Sequence, residues 1–151
     1  MSPAMAVASL LGIGRLRPAP GTWGSLAVLP AALLGPWWCL ALGLGFTLAG
    51  LWAVSSLPEA REDPGWVVAD EAAGQCLALA ALPAGASFWW ILAAFALFRT
   101  LDILKPGPIG WADRMSGTRL RATLGVMLDD VLAGTAAAAL LLALRLAMGE
   151  S

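Results

Sequence analysis

Long apolar stretches separated by short polar ones dominate the chain, and this pattern predicts a helical protein associated with a membrane. No charged residue lies between Arg17 and Glu59, or between Glu71 and Arg99. Residues 37–54 form 18 consecutive positions without a charge or a proline, and about 20 such residues span the core of a bilayer. Tryptophans near both ends of this run are typical of interfacial anchors. We predict a membrane-spanning helix here; the alternative is the buried central helix of a soluble bundle.

The same pattern predicts further helices and a loop. Residues 66–81 and 124–148 are apolar helical runs, and the second can lie against the membrane or span it with a snorkelling Arg145. Residues 88–98 are too short for a span and are predicted to form a buried or re-entrant helix. Residues 12–26 are rich in glycine and proline, which predicts a loop that leads into the next helix.

Composition separates this chain from ordinary soluble domains. Of its 151 residues, 60% are apolar and 13% are charged, against about 45–50% and about 25% in soluble domains. A chain of this length can bury a core of its own. We therefore predict a single all-α domain over residues 1–151, a compact helical bundle that is membrane-associated or partly membrane-embedded.

Several classes of function are excluded by what the composition lacks. Histidine is absent, which removes serine–histidine triads and histidine-ligated metals. A metal would therefore be bound by oxygen, as Mg²⁺, Mn²⁺ and Ca²⁺ prefer. The net charge of −1 gives no indication of nucleic-acid binding. Cys39 and Cys76 stand alone in apolar stretches, so neither a zinc site nor a disulfide framework is expected, and the N-terminus does not have the pattern of a signal peptide.

Two pairs of adjacent acids lie inside the apolar helical runs: Asp70 with Glu71, and Asp129 with Asp130. Ionised carboxylates are costly to bury unless they are paired or bind a metal. In each pair, one acid is followed four residues later by a glycine, on the same helix face. Two helices that crossed at these glycines could approach closely and bring the carboxylates together. We predict a divalent-cation site at this crossing; the alternative is a solvated acidic face.

Two further motifs could complete such a site. Asp102 and Lys105 stand three residues apart, where the following prolines are expected to end a helix near Lys105; a solvated ion pair is the alternative. The glycine-rich stretch could offer backbone N–H groups to a phosphate, with Thr22 or Ser25 as a helix cap, although a plain turn is the better explanation. Carboxylates that hold Mg²⁺ beside cationic side chains fit phosphoryl-transfer chemistry.

Four segments, in this order, resemble the phosphatidylglycerophosphatase A family. They are PAPGTWGSL at 18–26, DPGWVVADEAAGQ at 63–75, LDILKPGPI at 101–109 and GVMLDDVLAG at 125–134. The resemblance extends over about residues 12–138. It implies an all-helical, Mg²⁺-dependent enzyme that hydrolyses the terminal phosphate of phosphatidylglycerophosphate at the bacterial inner membrane, with its active site facing the cytoplasm.

The resemblance also implies roles for individual residues, with Asp63 as a weaker candidate. The expected catalytic residues are Asp70, Glu71, Asp102, Lys105, Asp129 and Asp130. The expected Mg²⁺ ligands are Asp70, Glu71, Asp129 and Asp130. Thr22 and Ser25 are also weaker carry-overs from the family, while Arg99 and Arg114 are candidates because they are cations near the motifs. The expected substrate-binding residues are Gly21, Thr22, Gly24, Ser25, Arg99 and Arg114.

Two stretches depart from the family pattern. Gly107 stands where the family usually has a tryptophan or another bulky residue. Residues 119–124 replace a glycine-rich approach to the last acidic helix. We interpret Arg119 and Arg121 as candidate contacts for the lipid phosphates in place of that approach.

Two other classes of function are alternatives to a lipid phosphatase. Acids inside a membrane could instead bind a cation that a small channel or transporter subunit translocates. The single convincing span and the mixed charges of residues 101–114 argue against this class. A phosphatidyl-transferring enzyme would need acids arranged in a DGxxAR-type motif, and the sequence contains none.

Overall fold

The computed structural model describes residues 1–149, and in that range the chain is helical, without a β-strand. This confirms the all-α prediction. The α-helices are α1 (Pro3–Ala8), α2 (Pro20–Ala27), α3 (Pro36–Ser56), α4 (Ala69–Leu79), α5 (Phe88–Leu104), α6 (Pro108–Asp113) and α7 (Arg119–Ala147). Short 3₁₀ helices occupy Ile13–Arg15, Leu29–Leu34 and Pro58–Glu62.

The short helix α4 is the centre of the bundle. Every residue of α4 except Glu71 is buried, and its most extensive contacts are with α7 and α3, while α2 and α5 flank it. The sequence predicted a longer helix over residues 66–81, and that length was wrong. Val68 is the N-cap of α4, with a φ of −143° that lies outside the helical region, and its backbone N–H donates to the carbonyl oxygen of Ala8 in α1 at 2.9 Å.

Helices α4 and α7 cross at the two glycines, as the sequence predicted. A Cβ atom placed on Gly134 would overlap the backbone of Gly74, and one placed on Gly74 would lie 2.5 Å from the carbonyl oxygen of Asp130. Such distances leave room for a hydrogen only, so neither position accepts a larger side chain without separating the helices. The crossing lies one turn from both acidic pairs.

Two helices, α3 and α7, are long and apolar enough to cross a membrane. The sequence predicted a span over residues 37–54 and either a span or a helix against the membrane over residues 124–148, and both regions are long and apolar enough to cross. Much of α3 faces outward: Trp37 is 80% exposed and Leu48 is 69% exposed. Exposed apolar surface of this extent marks a contact with a membrane or another protein.

Two local predictions were wrong. Residues 12–26 were expected to form a loop, but α2 begins at Pro20, a residue suited to the first helical position, so Thr22 and Ser25 lie within the helix and not at its cap. Arg145 was expected to snorkel, but it is 8% exposed. Its Nη1 donates to the carbonyl oxygen of Ala81 at 2.9 Å, just beyond the end of α4, where helix carbonyls lack intrahelical partners.

Candidate active site

Of the six residues expected to be catalytic, five lie on α4, α5 and α7, and Lys105 directly follows the end of α5. Asp70, Glu71 and Asp130 form one group in which the carboxylate oxygens lie within 4.8 Å of one another. Asp102, Asp129 and Asp130 form a second group of the same kind. Asp130 belongs to both groups, so it joins them into one acidic cluster.

The second group already has cations beside it. Lys105 follows the last residue of α5 and donates to the carboxylate of Asp129, while its Nζ lies 3.0 Å from Asp113 and 3.6 Å from Asp102. Arg99 Nη1 lies 2.5 Å from Asp102 Oδ2. Within residues 1–149, no ion pair of this kind reaches the carboxylates on α4 or Asp130. The two groups therefore differ in charge balance, because only the second contains carboxylates that are paired with a cation in the described residues.

Several carboxylate oxygens in the cluster are buried without a hydrogen-bond partner. They are Glu71 Oε2, Asp129 Oδ1 and Asp130 Oδ1. Buried polar atoms are nearly always bonded to protein, water or a ligand. Glu71 and Asp130 belong to the first group, and Asp129 and Asp130 belong to the second. Unpartnered carboxylate oxygens are donors of the type that a hard divalent cation prefers.

Burial raises the pKa of Asp70 well above its usual range, and the negative charge of Glu71 raises it further. Burial also raises the pKa of Glu71, against the opposing effects of Asp70 and Arg99. Burial lowers the pKa of Lys105, but its contacts with Asp129 and Asp113 outweigh this and raise it above its ordinary value. Lys105 is therefore held in its charged form, while burial disfavours the ionised form of the α4 pair.

The N-terminus of α2 lies against the acidic pair of α4. A Cβ atom on Gly21 would overlap the carboxylate of Glu71 and lie 3.3 Å from Arg99 Nη2. Gly24 is similarly tight, because its Cβ would lie 2.8 Å from the side chain of Val68. Ser25 is buried and donates to the carbonyl oxygen of Gly21 at 3.0 Å. The glycines thus let α2 approach the cluster, while the Ser25 hydroxyl is used within the helix.

Not every expected residue joins the cluster. Arg114 is exposed at the end of α6, and no ion pair links it to an acid in the described part of the chain. Arg119 and Arg121 are exposed in the first turn of α7. Thr22 is half-buried in the first turn of α2.

Sequence reasoning missed Asp113, which contacts Lys105 from α6. The only local signal was its place in the mixed-charge stretch after the prolines. Asp63, at the end of the 3₁₀ helix 58–62, lies close enough that its charge adds to the raised pKa of Asp70, after burial and Glu71. Asp63 and Asp113 lie on segments other than the helices that carry the acidic pairs, so the helical spacing of those pairs does not predict them.

Comparison with known proteins identifies the family. Residues 6–145 match the family model described as Phosphatidylglycerophosphatase A. The chain belongs to this family. It is 40% identical to the Phosphatidylglycerophosphatase A of Haemophilus influenzae over 156 aligned positions, covering 96% of the chain and 90% of the relative. It is 36% identical to that of Escherichia coli K12, covering 81% of the chain and 72% of the relative.

A third relative carries a different name. This protein of Bacteroides thetaiotaomicron, named "Putative phosphatidylinositol-3-phosphatase", is 42% identical over 77% of both chains. No solved structure gives a significant match. Membership in the phosphatidylglycerophosphatase A family makes this chain a phosphoric monoester hydrolase, and it does not favour the channel or transporter alternative.

Without a divalent cation, we expect the free energy of unfolding of this phosphatase to fall as the pH rises from about 4. The pKa values of Asp70 and Glu71 are raised in the folded protein, so the folded state binds more protons than the unfolded chain. Stability that is complete below the ordinary pKa is then lost as the pH rises through the raised one. Thermal unfolding in EDTA at a series of pH values measures this. A melting temperature that increased with pH would contradict it.

Proposed function

We propose that this phosphatase hydrolyses the terminal phosphomonoester of phosphatidylglycerophosphate, giving phosphatidylglycerol and inorganic phosphate. The observation that carries the proposal is the acidic cluster, which contains buried carboxylate oxygens without partners and lies beside Lys105 and Arg99. Such a site pairs a place for a divalent cation with fixed positive charges for a phosphate. The names of the relatives from Haemophilus influenzae and Escherichia coli support this choice of substrate.

Mg²⁺ is the proposed cofactor, held by Asp70, Glu71 and Asp130, with Asp129 completing the set. The residues fit this ion because all donors are carboxylate oxygens and three of these acids have an unpartnered buried oxygen. Asp129 uses one oxygen for Lys105 and keeps the other, Oδ1, available. Bound Mg²⁺ would supply polarisation of the phosphoryl group and a lowered pKa for a coordinated water.

The cationic side chains are proposed to bind the phosphate oxygens. Lys105 is held between Asp129 and Asp113, and Asp102 orients the guanidinium of Arg99. The Nε of Arg99 is buried without a hydrogen-bond partner, so this side chain has a donor left for a ligand. Positive charges fixed by neighbouring carboxylates need no reorganisation as charge develops on the transferring phosphoryl group.

We propose that α3 and α7 place the protein in the bacterial inner membrane with the cluster at the cytoplasmic face. Support comes from the length and hydropathy of both helices, the outward-facing tryptophans of α3 and the bacterial origin of the relatives. From Val131 to Leu144 α7 carries no charge, so its acids lie at one end of the apolar part. That position suits a lipid head group at the membrane surface.

Phosphate release by detergent-purified protein tests the proposal. We expect release from phosphatidylglycerophosphate with Mg²⁺ and none with EDTA. Parallel assays with phosphatidylinositol 3-phosphate and phosphatidic acid test the substrate, since one relative is named for a phosphoinositide. Faster hydrolysis of either lipid would overturn the choice of phosphatidylglycerophosphate, and undiminished activity in EDTA would remove the metal from the proposal.

A further inference from the structure

An apolar groove of about 500 Å³ lies between the end of α5, the loop at 106–108 and α7. Its walls include Leu101, Pro106 and Ile109, and its floor is formed by α7 residues such as Leu132 and Ala139. No charged side chain lines it. The hydroxyl of Thr135 in the lining donates to the carbonyl oxygen of Val131 at 2.7 Å, so this side chain offers the groove no unpaired donor.

One end of the groove is lined by residues that adjoin the acidic cluster in sequence. Leu101 and Pro106 are the direct neighbours in sequence of Asp102 and Lys105. On α7 the groove is lined from Leu132, three residues after Asp129, as far as Ala139, which is about 10 Å along a helix. It therefore extends from residues next to the charged ones in sequence into the stretch of α7 that is apolar enough to cross a membrane.

We propose that this groove binds an acyl chain of the phospholipid substrate and thereby sets the position of its phosphate. The proposal rests on the proposed function. A peptide or a head group would leave polar groups unpaired against this lining, whereas a hydrocarbon chain needs no hydrogen-bond partner. The positive charges of Lys105 and Arg99 at the charged end match the phosphate of the same lipid, so one molecule satisfies both parts of the surface.

Filling the groove tests this assignment. Ala139 is exposed at its floor, and Ala139→Phe places a ring there without altering the buried core. We expect kcat/KM for diacyl phosphatidylglycerophosphate to fall about tenfold, because a displaced chain misplaces the phosphate. The kcat/KM for glycerophosphoglycerophosphate, the same head group without acyl chains, should be unchanged. Ala143→Phe, the same change one turn further on an exposed position outside the groove, is the matched control and should behave as wild type.

A second measurement does not depend on turnover. Phosphatidylglycerophosphate with a diazirine in one acyl chain is cross-linked to wild-type protein in EDTA, and the labelled peptides are mapped by mass spectrometry. We expect labelling of residues 132–139 and its loss in Ala139→Phe but not in Ala143→Phe. Labels spread evenly over the exposed leucines of α3 and α7, or equal effects of both variants on the diacyl substrate, would overturn the groove. If wild type labels the groove but releases no phosphate, the proposed function fails and the groove stands.

Discussion

Replacing Asp130 with asparagine is expected to lower the rate of phosphate release by about 10²–10³-fold, the loss typical of removing one group that stabilises charge in a transition state. Asp130 is the residue shared by both carboxylate groups, and it is only 3% exposed. An amide in its place removes one anionic donor from each group at once. Steady-state phosphate release from phosphatidylglycerophosphate, at saturating Mg²⁺, measures the effect.

Thermal unfolding separates this loss of function from a loss of structure. Mg²⁺ that binds the folded protein alone should raise the melting temperature of the wild type, and Asp130→Asn should lose most of that rise. In EDTA the variant should melt no lower than wild type, because one of several crowded buried acids has become neutral. Glu62→Gln, an exposed acid outside the cluster, is the control. Wild-type turnover in Asp130→Asn would contradict the assignment of this residue.

Gly134→Ala is expected to destabilise the fold by about 1–3 kcal/mol or more, as overpacking of a tight interior does. The added methyl group would meet the backbone of Gly74, and a backbone cannot rotate aside as a side chain can. The helices must separate, and the two acidic pairs separate with them. We expect a lower melting temperature together with a weaker Mg²⁺ response and reduced phosphate release.

Gly45→Ala provides the matched control for this prediction. Gly45 lies in α3, and a Cβ atom there would have no neighbour within 4 Å. Alanine at an unobstructed helical position stabilises by about 0.5–1 kcal/mol. If Gly134→Ala left the melting temperature unchanged or raised it, as Gly45→Ala should, the close contact of α4 with α7 would be refuted.

The central part of the site could be predicted because its signal is local. In each acidic pair, one acid lies four residues before a glycine, so the sequence alone places that acid and the glycine on one face of a helix. The prolines after Lys105 likewise mark the end of α5 without reference to any other element. The metal-binding and catalytic roles of these residues remain predictions, since geometry shows proximity and not chemistry.

Contacts between segments that are distant in sequence could not be predicted. Composition favoured a loop for residues 12–26, but packing against α4 accommodates a helix from Pro20 onward. Asp113 reaches Lys105 only because α6 folds back along α7. Arg145 and Ala81 stand 64 residues apart, and no periodic pattern relates them. Propensity describes a segment, whereas these partners depend on how the helices pack.

The buried hydrogen bond from Arg145 to Ala81 attaches α7 to the end of α4 at a second point, in addition to the glycine crossing. A single close contact would leave α7 free to swing about Gly134. Arg145 stands 11 residues beyond that contact and Asp130 only 4 before it, which is about 16 Å and about 6 Å along the helix. Because this bond holds the C-terminal part of α7 in place, it also limits the movement of the part of α7 that carries Asp130. The guanidinium of Arg145 therefore helps to position the carboxylates, although it lies at the other end of the helix.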